Sequence, residues 1–253
     1  MNASHHGTPC WYELATHDLG AAQRFYSEVI GWSVAGSGMP GMDYRLAKAG
    51  DSMIAGMMNS PDPDAPPSWT VYVAVDDCDG TARRIEEAGG RTCHGPEDIP
   101  DVGRFAVISD PQGVSFALLQ PLPGGQGGAF DQKKHGHGNW HELWTPDPDG
   151  ALAFYGKIFG WTESQRMDMG EMGFYHLFNH HGTDIGGMAR KTPEMPRAHW
   201  LPYFGTDGVN EAISRITANG GTVLHGPVEV PGGAFIVQAL DPQRAAFALV
   251  GPK

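Results

Sequence analysis

The chain has 253 residues, of which 40% are hydrophobic and 18% charged. This length suits two domains of ordinary size, each large enough to form its own core. The formal net charge of −12 argues against binding to nucleic acid or to an anionic membrane surface. No apolar run is long enough to cross a membrane.

A stretch near the start of the chain recurs once, 129 residues further on (140 − 11 = 129). Self-similarity at a fixed offset marks a duplicated structural unit. The chain therefore contains two copies of one domain. The matched residues are Trp11, Glu13, Leu14, Thr16, Asp18, Ala22, Phe25, Tyr26, Gly31 and Trp32 in the first copy and Trp140, Glu142, Leu143, Thr145, Asp147, Ala151, Phe154, Tyr155, Gly160 and Trp161 in the second.

Cysteine usage and the N-terminal sequence bear on the compartment. Cys10, Cys78 and Cys93 are odd in number, and none recurs at the matching position of the other copy. This argues against a disulfide framework. The first eight residues lack the basic-then-apolar layout of a signal peptide. We therefore expect a cytoplasmic protein.

In each copy, a strand candidate leads into an amphipathic helix. Asp18 follows a stretch with β character and is a typical N-cap residue, and Gly31 is a typical helix stop. Together they predict a helix between residues 18 and 31. In the second copy, Asp147 and Gly160 take the same two places. Three short strand candidates follow the first helix, at about 32–35, 43–49 and 52–58.

The second half of each copy repeats this order of elements. A strand beginning at Trp69 matches one beginning at Trp200, and helices are predicted at about 78–88 and 209–218. Each copy then closes with an Asp-Pro-Gln sequence and a final strand. Each copy is thus two βαβββ modules, and the chain has four. We place the first domain at residues 7–121, a linker at 122–136 and the second domain at 137–252.

This pattern resembles a known family. A βαβββ unit with Leu-x-x-x-Asp-x-x-x-Ala-x-x-Phe-Tyr-x-x-x-x-Gly-Trp and a closing Asp-Pro-x-Gly strand is similar to the vicinal oxygen chelate superfamily. That superfamily includes glyoxalase I, bleomycin-resistance proteins and extradiol dioxygenases. The resemblance covers nearly the whole chain and implies an α+β fold of tandem glyoxalase-like domains. In it, four βαβββ modules form cupped mixed sheets whose concave faces hold a ligand.

The resemblance also implies where a metal would bind. Metal-using members carry ligands on the first and last strand of each module. The matching positions here hold Trp11, Trp69 and Ala117 in the first copy and Trp140, Trp200 and Ala248 in the second, with residues 55–57 and 186–188 on the remaining strands. None of these side chains is a hard or borderline metal ligand. We therefore predict no cofactor, although a divalent metal held at other positions stays open.

Two glutamates are the candidates for chemistry. Strand residues alternate between faces, so Glu13 should share the cup-facing side with Trp11, and Glu142 with Trp140. A carboxylate in an aromatic-lined cup could act as a general base. The alternative is a structural glutamate bonded to backbone amides or to a neighbouring hydroxyl such as Thr16 or Tyr44.

Aromatic and basic residues complete the candidate ligand-binding set. Trp11, Trp140, Trp69 and Trp200 either fill the cups or form an aromatic wall for a planar or apolar ligand. Tyr44 and Tyr175 offer a pair of hydroxyls at the rim of the cups. Arg45 and His176 could polarise a carbonyl oxygen of the ligand.

Three functions are compatible with this pattern. The first is a metal-independent lyase or isomerase in which Glu13 or Glu142 withdraws a proton next to a carbonyl. The second is sequestration of an apolar or aromatic small molecule without turnover, as in bleomycin-resistance proteins. The third is a metal-dependent lyase or dioxygenase. In each case the expected partner is a small molecule, and the chain is a monomer or a homodimer.

Overall fold

A computed structural model of the chain describes residues 5–39, 41–125 and 128–253. It contains two eight-stranded mixed sheets, one from each sequence repeat. The elements of the first repeat are β1 (Pro9–Thr16), α1 (Leu19–Ile30), β2 (Ser33–Gly36), β3 (Tyr44–Ala49), β4 (Ser52–Asn59), β5 (Ser68–Ala74), α2 (Cys78–Glu87), β6 (Arg91–Ile99), β7 (Gly103–Ser109) and β8 (Ser115–Pro121).

The second repeat has the same order of elements, with a short 3-10 turn at Gly170–Met172 added. They are β9 (Gly138–Thr145), α3 (Pro148–Phe159), β10 (Thr162–Asp168), β11 (Phe174–His180), β12 (Thr183–Arg190), β13 (His199–Gly205), α4 (Val209–Ala218), β14 (Thr222–Glu229), β15 (Phe235–Leu240) and β16 (Ala246–Gly251). The strand orders are β2-β3-β4-β1-β5-β8-β7-β6 and β10-β11-β12-β9-β13-β16-β15-β14. The predicted α+β fold with four βαβββ modules is confirmed.

The sequence signals for the first helix of each repeat act as predicted. The Asp18 side chain accepts a hydrogen bond from the Ala21 N–H, and α1 ends at Gly31 in the left-handed conformation. Asp147 and Gly160 cap α3 in the same way. No helix among the described residues is long and apolar enough to span a membrane.

The chain packs as two compact units, and each unit combines segments of both repeats. The first unit comprises Met1–Cys10, Val71–Gly127 and His141–Trp200. The second comprises Trp11–Thr70, Gly128–Trp140 and Leu201–Lys253. Residues 126 and 127 of the predicted linker lie outside the described residues. Later in the linker, the Trp32 indole N–H donates to the Gly136 carbonyl over 2.7 Å, which fixes this segment within the second unit.

A buried polar relay lies in the core of the second unit. The Tyr26 hydroxyl of α1 donates to Asp241 Oδ2 over 3.2 Å and accepts from the Trp69 indole N–H over 3.0 Å. Asp241 Oδ1 accepts from the backbone N–H groups of Gln243 and Ala245. Burial raises the pKa of the Asp241 carboxyl, and these hydrogen bonds oppose the rise. The carboxylate is thus buried but well satisfied.

The first unit contains the equivalent relay. Tyr155 of α3 donates to Asp110 Oδ2 over 3.0 Å and accepts from the Trp200 indole over 3.1 Å. Burial likewise raises the pKa of Asp110, against the hydrogen bonds that its carboxylate accepts. Each relay therefore joins the start of one repeat to the closing Asp-Pro-Gln sequence of the other, within a single unit.

The glutamine of each closing sequence extends this contact. Gln243 Oε1 accepts from the backbone N–H of Asp18 over 2.7 Å, and its amide donates to the Asp18 carbonyl over 2.9 Å. Gln112 makes the same pair of bonds to Asp147, each over 2.8 Å. A side-chain amide has both a donor and an acceptor, so it satisfies both backbone groups at the entrance to the helix.

These hydrogen bonds predict that removing the Asp241 carboxylate strongly lowers the free energy of unfolding. Asp241→Ala should lower the free energy of unfolding by about 2–4 kcal/mol, because it leaves the Tyr26 hydroxyl and two backbone N–H groups without an acceptor. Urea unfolding monitored by circular dichroism measures the change. Substitution of the exposed Asp51 by alanine is the control and should stay within about 0.5 kcal/mol of the parent protein. Equal losses in the two variants would contradict the assignment.

Candidate carboxylate sites on the open face

The strands of each sheet have one face packed under helices and one face turned away from them, which we call the open face. In β1, Tyr12 and Leu14 are fully buried, and the Tyr12 ring packs 5.1 Å from that of Phe204. Trp11 and Glu13 alternate with them and are half-buried. The predicted sharing of one face by Trp11 and Glu13 is therefore what the strand shows.

Tyr44 joins these two residues from the third strand. Its hydroxyl donates to Glu13 Oε2 over 2.8 Å and accepts from the Trp11 indole N–H over 3.3 Å. Gly56, the strand partner of Glu13, makes this possible, because a Cβ there would overlap the Tyr44 hydroxyl and ring. We call Trp11, Glu13, Tyr44 and Gly56 the first carboxylate site.

The electrostatics of the first carboxylate site hold the tyrosine in its protonated form. Burial raises the pKa of the Tyr44 hydroxyl well above its usual value, and the charge on Glu13 adds to the rise. The hydroxyl therefore donates its proton to Glu13 and accepts from Trp11. The result is a carboxylate oriented on a partly exposed aromatic surface, able to accept hydrogen bonds from a hydroxylated molecule.

The second repeat builds a related site with a different donor. Glu142 Oε2 accepts from the Trp144 indole N–H over 2.8 Å. The Tyr175 ring crosses Gly187, the strand partner of Glu142, as Tyr44 crosses Gly56. We call Glu142, Trp144, Tyr175 and Gly187 the second carboxylate site. Trp140 alternates onto the same face of β9 and is half-buried.

Trp69 and Trp200, predicted as ligand-binding residues, lie on the helix-covered face. Each is 6% exposed and donates its indole N–H to the buried tyrosine described above. The open-face residues of β5 and β13 are instead Tyr72 and Tyr203, which pair in register with the alanines of the final strands. Sequence reasoning missed both tyrosines because it anchored the strand on the tryptophan, three positions earlier and therefore on the opposite face.

Tyr203 has a polar neighbour that the sequence analysis did not single out. The Gln238 side-chain amide donates to the Tyr203 hydroxyl over 2.7 Å. Both residues pair in register with Ala248, whose side chain is too small to separate them. Gln238 is the polar residue of the otherwise apolar strand β15, and this was the signal in the sequence that could have found it.

Arg45 and His176 are held by polar contacts on the helix-covered side of their strands. The Arg45 guanidinium donates to Gln23 Oε1 over 2.6 Å and to the Leu19 carbonyl over 3.2 Å, both on α1. His176 is buried, and its Nδ1 lies 2.7 Å from Glu163 Oε1. The structure therefore does not bring these two side chains to the carboxylate sites, because neighbouring residues of a strand face opposite ways.

His141 is a buried histidine next to the second carboxylate site in sequence. It shares the helix-covered face of β9 with Leu143, and its Nδ1 donates to the Ile185 carbonyl over 2.9 Å. Burial lowers the pKa of His141 to about 4, so the imidazole is neutral in the folded protein near neutral pH.

The residues at the positions where the resemblance implies metal ligands do not fit a metal ion. On the open face these positions hold tryptophan, glycine and alanine, with tyrosine rings crossing the glycines. Among the described ranges, no group of three or more histidine, cysteine, aspartate or glutamate residues is arranged to hold one. We derive no reaction step through a metal.

Comparison with known proteins fits this fold and repeat. The model of the Glyoxalase/Bleomycin resistance protein/Dioxygenase superfamily matches residues 9–118 and 138–249. The chain belongs to this superfamily, and each repeat carries one copy of its domain.

Relatives from Mycobacterium and Streptomyces match nearly the whole chain. The chain is 34% identical over 254 residues to "Putative glyoxylase CFP32" of Mycobacterium tuberculosis, covering 97% of this chain and 95% of the relative. It is 30% identical over 261 residues to "Anthracycline biosynthesis protein DauV" of Streptomyces sp. (strain C5), covering 96% and 93%.

Solved structures show the same fold at low identity. The 2,3-dioxygenase LapB from Pseudomonas sp. KL28 aligns with a TM-score of 0.69 at 15% identity, covering 98% of this chain and 93% of that one. The Mn(II)-bound glyoxalase from Novosphingobium aromaticivorans aligns with a TM-score of 0.69 at 15% identity, covering 97% and 82%. At this identity the likeness concerns the fold alone.

The crossing of Gly56 by Tyr44 predicts a coupled mutational effect. Gly56→Ala should expel the Tyr44 ring and lower the free energy of unfolding by about 1–3 kcal/mol. Tyr44→Phe should then cost less in the Gly56→Ala background than in the parent, because the hydroxyl no longer reaches Glu13. A double-mutant cycle from urea unfolding measures this coupling. Gly36→Ala, which adds a Cβ in open space, is the control. Additive effects of Gly56→Ala and Tyr44→Phe would refute the contact.

The lowered pKa of His141 predicts a loss of stability in acid. In the unfolded chain His141 takes up a proton below about pH 6.5, whereas in the folded chain it stays neutral down to about pH 4. The free energy of unfolding therefore falls as the pH drops through this window, by up to about 3 kcal/mol. His141→Gln keeps an amide that can donate to Ile185 and removes this titration. Its unfolding free energy should decline less than the parent's between pH 7 and pH 4. Parallel declines would contradict the assignment.

Proposed function

We propose that the chain binds a planar, hydroxylated aromatic metabolite at the first carboxylate site. The observation that carries this proposal is the Trp11–Tyr44–Glu13 cluster: a half-buried indole beside a carboxylate oriented by a tyrosine hydroxyl. An aromatic face next to a fixed acceptor matches the two surfaces of a phenolic ring, its π-face and its hydroxyl edge.

The chemistry of each residue supports one part of this recognition. The Trp11 indole offers a flat surface for stacking, and its N–H is held by the Tyr44 hydroxyl. Glu13 would accept a hydrogen bond from a ligand hydroxyl, since an ionised carboxylate acts only as an acceptor. Met58 pairs in register with Ala15 on the same face and adds an adaptable apolar surface.

The names of two relatives support this ligand class. DauV, and DnrV of Streptomyces peucetius at 30% identity over 265 residues, are named for anthracycline biosynthesis, and anthracyclines contain planar hydroxylated rings. Bleomycin resistance in the superfamily description fits capture of a small molecule without turnover.

A second candidate function is metal-independent proton transfer with Glu13 as the base. The favouring observation is that Tyr44 fixes one carboxylate oxygen on a ligand-facing surface. Glu13 would take a proton from carbon next to a carbonyl and return it to the enolate. Glu142 is the corresponding base in the second repeat. Exchange of the α-protons of hydroxyacetone for deuterium, followed by NMR with the parent and with Glu13→Gln, separates turnover from binding alone.

The binding proposal is tested with 1,8-dihydroxyanthraquinone in equilibrium dialysis. Glu13→Gln should weaken binding by roughly 10- to 100-fold, since hydrogen bonds to charged groups contribute about 1.5–3 kcal/mol. Trp11→Leu should weaken it by about 3- to 10-fold through loss of aromatic contact. Glu28→Gln, an exposed change of equal charge on α1, is the control. Unchanged affinity in Glu13→Gln would overturn the proposal.

A further inference from the structure

The two carboxylate sites follow one plan but differ at one pair of facing residues. In the first repeat, Ala15 of β1 pairs in register with Met58 of β4. In the second repeat, Trp144 of β9 pairs with Ala189 of β12. The large side chain therefore lies on the neighbouring strand in the first repeat and on the glutamate's own strand in the second.

This exchange changes what covers the carboxylate. Residues two apart in a strand lie side by side on one face, so the Trp144 indole is next to Glu142 and donates to its Oε2 over 2.8 Å. Glu142 is 6% exposed, whereas Glu13, beside the small Ala15, is half-buried. The second carboxylate is thus covered by an aromatic ring of its own strand.

We infer that Trp144 closes the second carboxylate site, so that the chain holds one ligand, at the first carboxylate site. This inference rests on the proposed function. The indole occupies the flat surface beside the carboxylate and donates its N–H to Oε2, and Glu142 is left only 6% exposed to a ligand. Trp144 is therefore a specificity-determining residue: because of it, the ligand occupies the first carboxylate site and not the second.

The experiment counts ligands per chain by equilibrium dialysis with 1,8-dihydroxyanthraquinone. The parent should bind one. Trp144→Ala, which gives the second repeat the alanine that the first repeat has at position 15, should bind two ligands. Adding Glu142→Gln to this variant should lower the number of bound ligands to one. If Trp144→Ala is unstable, the double change Trp144→Ala with Ala189→Met recreates the first repeat's pair and serves the same test.

A reciprocal variant tests the same idea from the other repeat. Ala15→Trp should cover Glu13 and abolish binding, while circular dichroism stays that of the parent. A parent that binds two ligands, or a folded Trp144→Ala that still binds one, would overturn the closure and leave the proposed function intact. A parent that binds none would overturn the proposed function itself, so the two failures are distinguishable.

Discussion

The first carboxylate site depends on one hydroxyl group. Tyr44 reaches across the strand that separates it from Glu13, donates to the carboxylate and accepts from the Trp11 indole. That reach requires a strand residue without a side chain, and Gly56 provides it. The hydrogen bond from Tyr44 orients the Glu13 carboxylate beside the Trp11 indole. The same crossing of Gly187 by Tyr175 shows that the arrangement belongs to the repeated unit.

Two buried carboxylates are satisfied within the helix-covered core. Asp110 and Asp241 each accept hydrogen bonds from a helix tyrosine and from backbone N–H groups. These bonds offset the cost of burying charge, and the tyrosines bring Trp200 and Trp69 into the helix-covered core. Polar groups that hold the fold together thus lie on one face, and the polar groups suited to a ligand lie on the other.

The sequence predicted the repeat, the helix caps and the shared face of Trp11 and Glu13, because these follow from fixed spacing and local hydrogen bonds. It misplaced residues whose position depends on strand register. Trp69 faces the helices because Tyr72, three residues on, is the one that pairs with Ala117. Arg45 faces α1 because its neighbour Tyr44 faces the open side. The hydrogen bond from Tyr44 to Glu13, which the sequence offered as the structural alternative, is present. Its passage over Gly56 spans three strands, and no single stretch of sequence encodes that crossing.

The central claim is that a planar ligand stacks on the first carboxylate site. Intermolecular NOEs between the aromatic protons of 1,8-dihydroxyanthraquinone and the indole protons of the protein test it most directly. The account predicts NOEs to the half-buried Trp11 and none to the core residues Trp69 and Trp161. NOEs that exclude Trp11 while the ligand is bound would contradict it.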